Sequence, residues 1–211
     1  MTWALNNAEL ILQLTLTHLF VSLIPLGLGF VLAVALARVT PAPFTPGITS
    51  ALGAVYAIPS LALFVALPAL IGTDFLGLTN VMIALTIYVI SSMFFSARDA
   101  FTSLPPATIE FARAQGLSAS QRFFFVEFPL AIPGLIAGAR IAAASTISMA
   151  SIAAVVGVRN LGYLFLDGFQ RRIFDEVFAG LLAIFVIAIA VDLSLWLLGR
   201  ALTPWSRRSR V

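Results

Sequence analysis

RDAFTSLPPATIEFARAQGLSASQRFFFVEFPLAIPGLIAGAR, residues 98–140, is a polar interruption in an otherwise lipid-loving chain, and it holds four of the twelve arginines. Every long apolar segment lies to one side of it or the other. Its pattern predicts two short helices. Pro105 and Pro106 can open the first, because a proline at the first helical position gives up no hydrogen bond. Glu110 is expected early in that helix, where the dipole favours an anion, and Gly116 is a natural stop. Ser118-Ala119-Ser120-Gln121 then makes a capping-box pattern for a second helix, with Pro129 and Pro133 expected to close it. Phe123, Phe124, Phe125 and Phe128 are placed to hold the pair against a membrane.

The composition says what surrounds this stretch. Of 211 residues, 61% are hydrophobic and 10% charged, with a mean hydropathy of +1.06. A soluble domain carries about a quarter charged residues, so the bilayer is the main solvent. A net charge of +3 could suit nucleic acid, but the arginines are scattered at the ends of apolar segments, the pattern of positive-inside topology. Every basic residue is Arg and none is Lys. A Walker-type phosphate loop needs Lys, so this chain does not hydrolyse nucleotide in that way by itself. The absence of cysteine excludes disulfides, thiolate metal sites and cysteine nucleophiles. No metal cluster or catalytic triad is visible, and no cofactor is expected on the chain. The N-terminus has Glu9 and no positive charge before its first apolar run, which is not the pattern of a secretory signal peptide.

A span needs roughly 20 apolar residues, and five are expected, at about residues 16–37, 48–71, 78–96, 133–156 and 178–198. Trp3 precedes the first as an interface anchor. The Pro25–Gly29 stretch either kinks the first span or marks close helix packing, and His18 near its outer end reads as a packed or interfacial residue. Pro59 is tolerated inside the second span if neighbours repair the backbone. A short loop over residues 72–77 leads to the third. The fourth is rich in small residues, which let helices approach closely in lipid. Residues 157–177, with Arg159, Asp167, Arg171, Arg172, Asp175 and Glu176 among aromatics, read as a surface or re-entrant helical segment.

Five spans put the termini on opposite sides. One side holds Arg38, Arg98, Arg113, Arg122, Arg140 and the four tail arginines, the other only Arg159, Arg171 and Arg172. That bias places the C-terminus and the 98–132 loop in the cytoplasm and the N-terminus outside. No repeat and no second domain are visible, so residues 1–211 are expected to form one transmembrane domain.

Glu110-Phe111-Ala112, three residues, Gly116, nine residues, and Val126-Glu127-Phe128-Pro129 resemble the "EAA" motif of ATP-binding-cassette import permeases, E-A-A-x3-G-x9-I-x-L-P. The Glu, the second Ala, the Gly and the Pro match; Phe111, Val126 and Phe128 are apolar exchanges. The resemblance implies an all-α, polytopic type I importer permease fold in which the first loop helix is a coupling helix seated on a cytoplasmic ATPase. Glu110, Ala112, Arg113, Gly116 and Pro129 would carry that coupling. It implies a second permease subunit, homo- or heteromeric, two ATP-binding-cassette ATPase subunits that hold the ATP, and an extracellular or periplasmic solute-binding protein, with no nucleic-acid partner. The runs Tyr56-Ala57-Ile58-Pro59-Ser60-Leu61-Ala62-Leu63-Phe64 and Arg159-Asn160-Leu161-Gly162-Tyr163 through Asp167-Gly168-Phe169-Gln170 look like permeases for quaternary-ammonium osmoprotectants such as glycine betaine, choline, carnitine and proline betaine. Methionine-type permeases share the length and plan and are the nearest competitor.

Independently of the resemblance, Ser145, Ser148 and Ser151 recur at i+3 in the fourth span, broadly on one face. With Tyr88 and Ser91 in the third span and Tyr56 in the second, they are candidates to line a solute pathway. Such hydroxyls also serve simply to bond neighbouring helices. Methylammonium groups favour aromatic faces, which singles out Tyr56, Tyr88 and Tyr163. Asp192 is the only acid well inside a span, where a partner is needed, and Arg140 at comparable depth is the expected one. The rival classes are a self-sufficient secondary transporter or channel and a membrane anchor without transport. The first should show several buried carboxylates and a repeat of spans; neither is present.

Overall fold

The structure, a computed structural model, describes residues 2–73 and 77–205. Residues 74–76 of the expected 72–77 loop and the tail arginines Arg207, Arg208 and Arg210 therefore lie outside the described residues. The fold is all-α. In chain order the helices are α1 (Thr2–Asn6), α2 (Ala8–Val39), α3 (Thr45–Ala57), α4 (Ser60–Ile71), α5 (Leu78–Thr102), α6 (Pro106–Ala114), α7 (Ala119–Arg122), α8 (Phe128–Ile152), α9 (Gly162–Arg171) and α10 (Phe174–Leu202). Among the described residues, four continuous helical runs are long and apolar enough to cross a membrane: 8–39, 78–102, 119–156 and 174–202. α3 and α4 supply a fifth only as a pair bent by 105°.

That bend corrects the expectation of one continuous span over 48–71. Ile58 is extended (φ −65°, ψ 131°), as the residue before a proline prefers to be. Its carbonyl accepts a hydrogen bond from Tyr88 Oη on α5, so the backbone freed by the break is satisfied. Pro25 and Pro133 lie inside α2 and α8 without breaking them.

A second correction concerns the loop. The helix begun by the Ser118–Gln121 capping box, with both reciprocal bonds formed, does not close at Pro129 and Pro133. It widens into a π turn at Phe123–Glu127 and continues straight into α8. A proline ring clashes with the carbonyl four residues back. The wider turn, in which Phe128 N–H reaches back to Phe123 O, makes room for Pro129. The loop is therefore one free-standing helix, α6, followed by the N-terminal end of a long one.

α5 is the most enclosed of the spans, half buried over its most apolar stretch, against 6% for α10. It is flanked by α2 and α8, and the approach is set by glycines. A Cβ on Gly29 of α2 would stand 2.5 Å from Val89 Cβ, and one on Gly138 of α8 would stand 2.3 Å from Ser96 Cβ. Both partners lie on α5, so the small residues of the sequence are what allow three backbones to close on one another. α10 meets the bundle through α8 and α9 and leaves Phe178, Leu181, Leu182, Phe185, Val186 and Ile189 outward. In a lipid solvent such exposure carries no hydrophobic penalty.

Candidate functional site

α6 is nine residues long, with Pro105 at its N-cap and Pro106 at its first position. Its end is a Schellman motif: Leu117 N–H donates to Ala112 O (3.3 Å) and Gly116 N–H to Arg113 O (2.9 Å). Gly116 is left-handed (φ +79°), which makes glycine the fitting residue at this corner. Glu110 sits past the first turn, beyond the reach expected of a dipole-stabilised N-terminal anion. Ala112 is the only buried residue of the helix, while Glu110, Phe111 and Arg113 face outward. Phe111 is 66% exposed. α6 thus turns Ala112 and the half-buried Thr108 and Ile109 toward the bundle and presents a mixed charged and aromatic surface on its other side.

Beneath it lies a charged node that the sequence reading passed over. Glu127, in the π turn, is 8% exposed. Arg122 Nε donates to its Oε1 at 2.7 Å, and Arg38 Nε, at the end of α2, lies 2.9 Å from its Oε2 as an ion pair without hydrogen-bond alignment. Arg98 Nη1 donates to the carbonyls of Ala37 and Thr40, so α5 caps the C-terminal end of α2 with a cation. Arg38, Arg98, Ile109 and Glu127 line a cavity of about 210 Å³ between span ends and α6. Phe123 packs on Phe101, Phe124 and Phe128, whereas Phe124 and Phe125 are 64% and 73% exposed. The only sequence signal for the node was an acid inside the apolar tail of the motif.

Of the pathway candidates, Tyr56 and Tyr88 come together, ring centroids 6.0 Å apart and nearly perpendicular, at the α3–α4 break. Ser91, one turn on from Tyr88, is fully buried and its Oγ has no hydrogen-bond partner among the described residues. Ser148 is exposed on α8, with Ser145 and Ser151 half-buried. Tyr163 is engaged elsewhere, its ring covered by the Arg159 guanidinium at 4.9 Å and its hydroxyl donating to Asp167.

Arg140 and Asp192 form a two-bond fork, Nε to Oδ1 and Nη2 to Oδ2, each 2.7 Å. The pair joins α8 to α10. It is not deeply buried: the side chains are 39% and 44% exposed. At the opposite end of the bundle His18 is fully buried and its Nε2 lies 3.0 Å from Ile147 O. Asn160 donates to Ala150 O and accepts from Gly162 N–H, locking the turn between α8 and α9. On α9, Asp167 accepts from Arg171 and Tyr163. Burial raises its pKa, but these hydrogen bonds outweigh that, and the carboxyl titrates below its ordinary value.

Comparison with known proteins places this geometry. Residues 26–208 match the model of the family described as binding-protein-dependent transport system inner membrane component. An osmoprotectant import permease protein of Salmonella typhimurium is 34% identical over 96% of both chains. A glycine betaine/carnitine/choline transport system permease protein of Bacillus subtilis is 28% identical over 97% of this chain and 94% of its own. A carnitine transport permease protein of Listeria monocytogenes is 29% identical over 96% and 93%. Among solved structures, a chain of a methionine ABC transporter in an inward-facing conformation superposes with a TM-score of 0.79 at 21% identity, over 93% of this chain and 97% of that one.

Proposed function

The chain belongs to the family of binding-protein-dependent transport system inner membrane components, and we propose that it is the permease subunit of an ATP-driven importer for quaternary-ammonium osmoprotectants. Glycine betaine, choline and carnitine are the solutes, in line with the relatives named for them. The chain itself is not an enzyme. It pairs with a second permease subunit, identical or homologous, to enclose the solute pathway, takes solute from a binding protein on the outer face, and draws energy from two ATPase subunits on the cytoplasmic face. In this reading the 98–132 loop and the C-terminus are cytoplasmic and the N-terminus is outside.

The observation that carries the coupling role is α6 itself. A nine-residue helix with Ala112 buried and Thr108 and Ile109 half-buried, and with Glu110, Phe111 and Arg113 turned outward, is a docking surface without a partner among the described residues. The Gly116 corner and the Glu127 node beneath it give that surface a stiff connection to α2, α5 and α8. ATP-driven closure of the ATPases then draws the two permease subunits together and switches the pathway between inward and outward openings, each state stabilised by its own contacts.

Vesicles containing the permease, its ATPase and its binding protein test the reading directly. Labelled glycine betaine, choline and carnitine are taken up with ATP inside, and methionine is not. Uptake of methionine alone would reassign the solute. Failure of the ATPase to co-purify with the wild-type chain, or its equal retention when Gly116 carries a bulky side chain, would remove the coupling role.

A further inference from the structure

We infer that the break in the second span, together with Tyr56 and Tyr88, forms a transit site for the quaternary ammonium group of the solute. The inference rests on the solute class proposed above.

The depth of the break is fixed by α5. Tyr88 lies about 15 Å along the helix from one end of α5 and about 21 Å from the other, at 1.5 Å per residue. Its hydroxyl holds the Ile58 carbonyl, so the break sits near mid-membrane. Non-helical backbone at that depth is tolerated only where protein buries it or where it lines a water-filled cavity. Here Ile58 is 39% exposed and Pro59 is exposed, so the chain does not bury it. The break therefore faces an aqueous path or the second permease subunit that encloses one.

The chemistry there selects a soft cation. α3 ends at Ala57 with its last carbonyls at the break, the electronegative end of a helix, and α4 begins at Ser60 with its first amides there, so a zwitterion meets poles of both signs and the aromatic face decides where its ammonium sits. Neither α3 nor α4 contains a charged residue, so a cation is attracted without being trapped by an ion pair. Tyr56 is 37% exposed and Tyr88 is 2% exposed; the near-perpendicular pair forms a corner whose open wall is the Tyr56 ring. Such a face attracts a methylated ammonium through its quadrupole. Tyr163, the other candidate ring, is already covered by Arg159. Ser91 adds an independent sign. Thr86 and Thr146 bond the carbonyl one turn back, whereas the buried Ser91 Oγ, one turn on from Tyr88, has no hydrogen bond among the described residues, an unsatisfied polar group in the helix that holds the break.

The test places fluorinated aromatic residues at position 56 of the complete transporter, in vesicles of phosphatidylethanolamine and phosphatidylglycerol that contain no choline headgroup. Fluorine drains the ring face with little change of shape, so folding is not the variable. Uptake of labelled glycine betaine is measured at saturating binding protein. Tyr56→Phe, which keeps the ring face, is the reference for the series. Mono-, di- and trifluorophenylalanine should fall stepwise, to a total of about threefold to thirtyfold. A flat series overturns the site and leaves the solute reading standing. No uptake of betaine, choline or carnitine by the wild-type complex overturns the solute reading and the site with it.

Discussion

Replacing Glu127 by Gln tests whether the node beneath α6 is a mechanical connection. Gln keeps the shape and one acceptor oxygen but removes the charge from between Arg122 and Arg38. The Arg122 contact is a charge-assisted hydrogen bond of 2.7 Å at a site where Glu127 is 8% exposed, and such bonds contribute about 1.5–3 kcal/mol. The Arg38 contact, with that side chain 34% exposed, is screened by solvent and contributes about 0.5 kcal/mol. Gln recovers part of the first and none of the second, so Glu127→Gln should cost about 2 kcal/mol. For a chain of this length that is a fall in Tm of about 4–8 °C, measurable by thermal unfolding in detergent. Glu127→Ala, which leaves Arg122 without an acceptor, should cost more. The functional readout is solute taken up per ATP hydrolysed, which should drop while basal ATP hydrolysis persists, because α6 still docks but moves α2 and α8 less. An unchanged Tm together with an unchanged uptake ratio would refute the reasoning, as would full additivity in a double-mutant cycle between Arg122 and Glu127.

Gly138→Val should overpack the α5–α8 contact by about 1–3 kcal/mol, since even its Cβ would lie 2.3 Å from that of Ser96; Gly27→Ala, with nothing within 4 Å of its new Cβ, should leave Tm almost unchanged. Asp192→Asn should reduce the folded protein recovered from membranes more than the apolar double replacement of Arg140 and Asp192 does, because it strands a cation at span depth; immunoblotting of membrane fractions reads this. Asp167 titrates below its ordinary 3.8 in the folded chain, so its contribution is fully present above the unfolded value and is lost as pH falls through the folded one. Tm should therefore be insensitive to this group from neutral pH to about 4, fall below that, and fall less in Asp167→Asn. Gly116→Ala, at φ +79°, should cost about 1 kcal/mol of strain and weaken ATPase retention in a pull-down.

Local chemistry at α6 was legible because each signal is short-range. A proline at the first position, a glycine in the left-handed region and a Ser–Gln capping box act within four residues of themselves, and all three form as the spacing implies. Glu127 was not legible. Its partners are five residues away in Arg122 and 89 positions away in Arg38, and only the docking of α2 beside the π turn brings the second into reach. The same holds for Asn160, which becomes a latch only once the chain turns back from α8 into α9.

The sequence by itself determined the solvent, the all-helical class and the local turns of the stretch from Pro105 to the Ser118 cap, because hydropathy and capping are properties of neighbours. It could not say which proline breaks a helix. Pro25, Pro59 and Pro133 all interrupt apolar runs, yet only Pro59 splits one, by 105°. A break needs something to accept the freed backbone, and Tyr88, thirty residues away on α5, supplies it at Ile58. Tertiary structure alone decided that. Pro129 is accommodated the other way, by a π turn that makes the loop continuous with the span above it, so that a segment expected to end at a proline instead runs unbroken from the Ser118 cap to Val156.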